Sequence, residues 1–135
     1  KYHISMIFFT LIGANNLSFS TKCLKSFILN CENFKHLYVF EDGTLNDQQK
    51  KDLTEALKNI TIVSKEERNH YILPRLEEFP LVKQFRNDVL LAQKLVDLIL
   101  WAQKLNLSTI NFIDTDIYFY NKLFKRIYIF EWYIP

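Results

Sequence analysis

An α/β fold, a mainly parallel sheet with flanking helices, is predicted by three features of the sequence. Four short runs, Ile4–Phe9, Leu37–Phe40, Ile60–Val63 and Ile110–Ile113, are nearly continuous in apolar residues, as strands covered on both faces are. Segments with helical spacing separate them. The resulting alternation of strand and helix is the pattern of parallel pairing.

The chain has 135 residues, enough for one domain that removes roughly two-thirds of its unfolded surface from water. No internal repeat, low-complexity tract or linker divides it, so residues 1–135 are read as a single domain. Twelve Phe and seven Tyr within a 49% hydrophobic composition exclude intrinsic disorder. The net charge of +2 arises from 17 basic and 15 acidic residues spread along the chain, without the basic stripe that nucleic-acid binding requires. Lys50–Lys51, Lys65–Arg68 and Lys122–Arg126 are short charge groups of the solvated kind. Cys23 and Cys31 lie eight residues apart in one expected helix, about 12 Å between Cα atoms and too far to bridge, so reduced thiols and a cytoplasmic setting are expected. His3, His36 and His70 are isolated, and neither zinc-finger nor HExxH spacing occurs. The apolar stretch Ile4 to Ala14 after Lys1 has some signal-peptide character, but a buried first strand gives it a role in the domain. No run is long enough for a membrane span, because Gln93, Lys94 and Asp97 interrupt the longest.

The first run should be a central strand closed by the turn Gly13-Ala14-Asn15-Asn16. Ser18 or Ser20 can cap the next helix, whose Phe19, Cys23, Phe27 and Cys31 form a stripe facing the sheet, with Leu24 and Ile28 alongside. The second strand ends on Glu41-Asp42-Gly43, a polar loop of the kind that places ligands at a strand's carboxyl edge. Asn46 or Asp47 starts a helix whose Leu53, Ala56 and Leu57 point inward, and the third strand follows. Ser64 to Phe79 reads as an excursion with one short helix. From Pro80 to about Leu105 one long, largely buried helix is expected, with Phe85, Val89, Ala92, Val96 and Ile99 on one stripe and Leu91, Leu95 and Leu98 beside it.

The fourth strand delivers Asp114-Thr115-Asp116. Residues i and i+2 of an extended chain share a side, so Asp114 and Asp116 can aim both carboxylates at one point. Two carboxylates with phosphate oxygens and water suit Mg²⁺ or Mn²⁺. The same triplet also suits an Asx turn or a helix cap.

Phe8-Phe9-Thr10 with Gly13-Ala14-Asn15-Asn16, Val39-Phe40-Glu41-Asp42-Gly43, Lys94-Leu95-Val96-Asp97 and Phe112-Ile113-Asp114-Thr115-Asp116-Ile117 occur in an order that resembles the GT-A glycosyltransferases, over about Ile4 to Phe119. The resemblance implies a Rossmann-like GT-A fold that binds a UDP- or GDP-sugar through Mn²⁺ or Mg²⁺ and transfers the sugar to an unknown acceptor. It further implies that the loop from Thr10 to Asn16, with Gly13 and Asn15, cradles the nucleotide and that Asp42 binds base or ribose. Asp114 would meet ribose or metal, Asp116 metal and diphosphate, and Lys94 the donor. Lys94 could equally pair with Asp97 at i+3, Glu41 to Thr44 could be a plain turn, and Arg86 is a further donor candidate. Only 19 residues follow Asp116, so the fold is expected to be truncated after this motif, without acceptor pocket or catalytic base. The apolar tail Ile127 to Ile134 is then expected as another strand or a self-association patch, and a non-catalytic association module is the alternative function. Phe40 to Leu45 also resembles the opening of haloacid-dehalogenase-type phosphatases, but Phe40 occupies the nucleophile position and cannot form an aspartyl-phosphate.

Overall fold

A computed structural model describes residues 5–122; the tail Ile127 to Ile134, and with it the expected strand or association patch, lies outside them. β1 (Met6–Ile12), β2 (Phe34–Glu41), β3 (Ile60–Val63) and β4 (Asn111–Phe112) form one sheet in the order β3-β2-β1-β4. Every pairing is parallel, as the apolar runs require. Side chains alternate between two cores. Phe8, Leu37, Val39 and Ile113 pack with Leu24 and Phe27 of α1 (Leu17–Asn30) and Leu53 of α2 (Asp47–Ala56). Phe9, Phe40, Val63 and Ile110 pack on the other face with Leu98, Trp101 and Ala102 of α5 (Leu90–Lys104). Helices therefore cover both faces of the sheet. Phe8, Phe9, Phe27 and Phe40 are almost fully buried, each contributing about 1.5–3 kcal/mol over exposure.

Local sequence explains most helix ends. Asn46 caps α2 by accepting from Gln49 N at 2.8 Å while the Gln49 side chain accepts from Asn46 N, a complete capping box. Ser64 likewise accepts from Glu67 N and starts α3 (Lys65–Ile72), the short helix expected in the excursion, which continues into a 3₁₀ turn over Leu73–Leu76. α1 departs from expectation. Its cap is Asn16, in the left-handed conformation at φ 57° and without a side-chain bond, not Ser18 or Ser20. The buried set is Ser20, Cys23, Leu24, Ser26 and Phe27, and Phe19, expected on the inward stripe, points outward. Cys23 and Cys31 are both free thiols.

The long helix expected after Pro80 is two helices, α4 (Pro80–Asp88) and α5, divided at Val89, whose backbone is extended at φ −125° and ψ 115°. The break turns both Arg86 and Asp97 inward. Of the expected inward stripe Ala92 is buried and Val96 half-buried, while Phe85, Val89 and Ile99 are exposed; beside it Leu98 is buried as expected, but Leu91 and Leu95 are exposed.

Charge chemistry dictates that arrangement. Asp97, fully buried, accepts from Arg86 Nε at 2.6 Å and Arg86 Nη2 at 2.9 Å, while Arg86 Nη2 also donates to Asn69 Oδ1 at 2.7 Å. Arg68 of α3, also fully buried, brings its Nε to 2.9 Å from Asp97 Oδ2 and its guanidinium to 5.2 Å from the Phe40 ring centroid. The Arg68 Nε–H does not lie along that short line, so the contact is an ion pair rather than a hydrogen bond. Burial, the largest influence, lowers the Arg68 pKa; Asp97 opposes this and the like charge of Arg86 reinforces it. α3, α4 and α5 are thus joined through one carboxylate. Among the described residues no helix is long and apolar enough to cross a membrane.

Removing Asp97 leaves two guanidiniums buried beside each other. Asp97→Ala is expected to lower unfolding free energy by about 3–5 kcal/mol, read from urea denaturation. Glu55→Ala, which removes an exposed i,i+4 partner of Lys51, should stay within about 0.5 kcal/mol of the parent.

Candidate functional site

In the order β3-β2-β1-β4 the chain steps outward from β1 through β2 to β3, then crosses the sheet and returns to pair β4 on the other side of β1. The strand order reverses at β1, and in open α/β sheets the ligand-binding crevice belongs at such a point, here beyond the carboxyl ends of β1 and β4. Gly13 to Asn16 and Asp114 to Asp116 are the two loops that flank it.

β1 and β4 are fastened directly beneath this crevice. Ile113 N donates to Phe9 O at 2.9 Å, and the Thr10 hydroxyl, fully buried, donates to Ile113 O at 2.7 Å. Asn111 Nδ2 donates to Ile7 O at 2.9 Å. Thr10 therefore holds the residue preceding Asp114 and acts on the site through position.

Asp114 and Asp116 face different neighbours. The chain turns at Thr115 and Asp116, so the extended alternation expected for the triplet ends at its first residue. Asp114, its side chain 51% exposed, pairs through Oδ1 with Lys94 Nζ of α5 at 2.7 Å. Lys94 also lies 4.9 Å from the Phe112 ring centroid. Asp116 is exposed on the α1 side, and its charge, after burial, raises the pKa of the Cys23 thiol. Asp114 is thus engaged by α5, and Asp116 stands exposed in the turn that follows. Lys94 does not pair with Asp97, which the two arginines occupy, and Arg86 is committed to the interior away from solvent.

The loops after β1 and β2 meet at Gly13 and Asp42. Asp42 Oδ1 accepts from Thr44 N at 3.0 Å and from the Thr44 hydroxyl, whose oxygen in turn accepts from Ala14 N at 2.7 Å. Gly43 adopts φ +93°, the conformation that favours glycine, so Asp42 to Thr44 forms the Asx-type turn weighed from the sequence. A Cβ on Gly13 would stand 2.8 Å from Asp42 Cγ and overlap the carboxylate. Asn15 is exposed at the tip of its loop.

Glu41, passed over in the sequence, underlies this arrangement. It is fully buried, with Oε2 accepting from Gly43 N at 2.7 Å and Oε1 from Lys65 N at 2.8 Å, and Lys50 Nζ stands 3.8 Å away. The loops after β2 and β3 are clamped to one carboxylate. An acidic residue closing an apolar strand and directly followed by Asp-Gly was the available signal.

Gly13→Ala forces the Asp42 side chain out of its turn, and a loss of about 1–3 kcal/mol in unfolding free energy is expected. In an Asp42→Ala background the same substitution should cost little, so a double-mutant cycle by denaturant unfolding is expected to show coupling of about 1 kcal/mol or more.

No protein-family model and no curated protein matches this chain.

Proposed function

We propose that the carboxyl edge of this sheet binds the diphosphate of a nucleotide sugar together with Mn²⁺ or Mg²⁺, as the donor site of a glycosyltransferase of the GT-A type that this chain resembles. The observation that carries the reading is the Lys94–Asp114 pair at the topological crevice, a cation and an anion side by side and accessible to solvent. On ligand entry Lys94 exchanges Asp114 for a phosphate oxygen, and the freed Asp114 carboxylate turns to ribose or metal. Asp116 approaches metal and diphosphate from the α1 side. Gly13, having no side chain, lets the loop through Asn15 lie close to Asp42, which receives base or ribose.

The donor set fits a hard divalent cation of the magnesium type, which keeps several waters and needs only one or two carboxylates beside substrate phosphates. In this reading the protein's share of the ligands is Asp114 and Asp116. When bound, the ion neutralises charge building on the departing diphosphate. Sugar transfer to an unknown acceptor, UDP or GDP as the donor nucleotide, and a cytoplasmic location consistent with two free thiols belong to this proposal. A second reading, a non-catalytic association module, is favoured by the exposed apolar side chains of α4 and α5.

Calorimetric titration of UDP and GDP, with and without Mn²⁺, tests the donor site. Binding is expected to require Mn²⁺ for one of the two nucleotides and to weaken roughly tenfold or more in Asp116→Ala, a loss of about 1.4 kcal/mol or greater. Lys94→Met should weaken it comparably while leaving the fold intact by circular dichroism. A folded chain that binds neither nucleotide, or binds equally well without Asp116, would falsify the donor-site reading and leave the association module.

A further inference from the structure

Ser26 and Asn30 stand at i and i+4 on α1, Ser26 buried and Asn30 half-buried. Polar groups so placed need hydrogen-bond partners, and each side chain finds one within the helix. The Ser26 hydroxyl donates to Cys23 O at 2.7 Å, and Asn30 Nδ2 donates to Ser26 O at 2.8 Å. What each has left goes to one residue beyond the Asp114-Thr115-Asp116 turn. Ser26 Oγ, its single proton given to Cys23, accepts from Phe119 N at 3.0 Å, and the second Asn30 Nδ2 hydrogen goes to Phe119 O at 3.2 Å.

The Phe119 ring completes the attachment, 5.4 Å from the Phe27 ring and packed against the core that Phe8, Leu24 and Phe27 form. Asp116, Ile117, Tyr118 and Tyr120 around it are exposed. Ring packing alone would let the backbone rotate or slide, whereas bonds to both its N–H and its C=O, from side chains 93 and 89 residues earlier, fix its orientation. A matching pin lies upstream, where Ile113 N and O are bonded to Phe9 O and to the Thr10 hydroxyl. Asp116 stands midway, three residues from Ile113 and three from Phe119. With both ends of so short a loop held, most of its conformational entropy is lost on folding and little remains to be lost on ligand binding.

We propose that Ser26 and Asn30 are positioning residues of the donor site, anchoring Phe119 and thereby holding the turn from which Asp116 meets metal and diphosphate. The inference rests on the donor-site reading above. Both side chains act through Asp116 and not by touching the ligand.

Hydrogen exchange by NMR and calorimetric titration on the full chain test it together. In the parent the Phe119 amide is expected to exchange roughly tenfold or more slower than those of Ile117 and Tyr118. Ser26→Ala should remove that protection while the Leu24 and Phe27 amides of α1 keep theirs, and should weaken Mn²⁺-dependent binding of UDP or GDP roughly tenfold. Asn30→Ala carries the same test should Ser26→Ala fail to fold. A double-mutant cycle separates positioning from general destabilisation: in an Asp116→Ala chain, Ser26→Ala should change affinity less than about twofold, because the residue it acts through is gone. A Phe119 amide no slower than its neighbours overturns the inference. So does a folded variant that binds as tightly as the parent, or a Ser26→Ala loss undiminished by Asp116→Ala, and each leaves the donor site standing. A folded parent that binds neither nucleotide overturns the donor-site reading and this inference with it.

Discussion

Asp97 carries one negative charge in a place sealed from water, and two guanidiniums converge on it from α3 and α4. A buried pair of this kind adds little net stability over apolar packing, because desolvation consumes most of the attraction. Its value lies in the asymmetry of breaking it. Any arrangement of α3, α4 and α5 that separates Arg68 or Arg86 from Asp97 strands a charge in the interior, so the network selects one packing from several that hydrophobicity alone would tolerate. The orientation of α5 follows, and with it the position of Lys94 over the carboxyl end of β4.

The same economy of carboxylates shapes the edge of the sheet. Glu41 gathers the loops after β2 and β3, and Asp42 with Thr44 draws the loop after β1 against the loop after β2. The Thr10–Ile113 bond then sets the height of Asp114 relative to the Gly13 loop. Loops held this way present their polar groups without a large ordering cost on ligand binding. The pair most available for exchange is Lys94 with Asp114, the two being partly solvated where Glu41 and Asp97 are not.

The orientation of α5 that aims Lys94 at Asp114 leaves Leu95 and Ile99, about 100° and 140° further round the helix, exposed.

Strand positions, the parallel sheet, the start of α2 and the Asp114 loop were legible in the sequence, because each depends on local pattern: unbroken apolar runs, a cap residue at Asn46 or Asp47, a polar triplet after Ile113. What sequence could not settle was which side of an all-apolar helix faces the sheet. Periodicity assigned Phe85, Val89 and Ile99 to the core, and the buried charges reversed that assignment through a break at Val89 that no proline or glycine announces. Likewise the i, i+2 rule put Asp114 and Asp116 on one side of an extended chain, while the turn at Thr115 and the pairing of Asp114 with Lys94, 20 residues earlier, came from the tertiary structure. Patterns within a dozen residues were determined by the chain itself. Pairings across the fold, such as Arg68 with Asp97 or Thr10 with Ile113, were decided by tertiary structure, because a buried charge or hydroxyl must find its partner wherever in the sequence that partner stands.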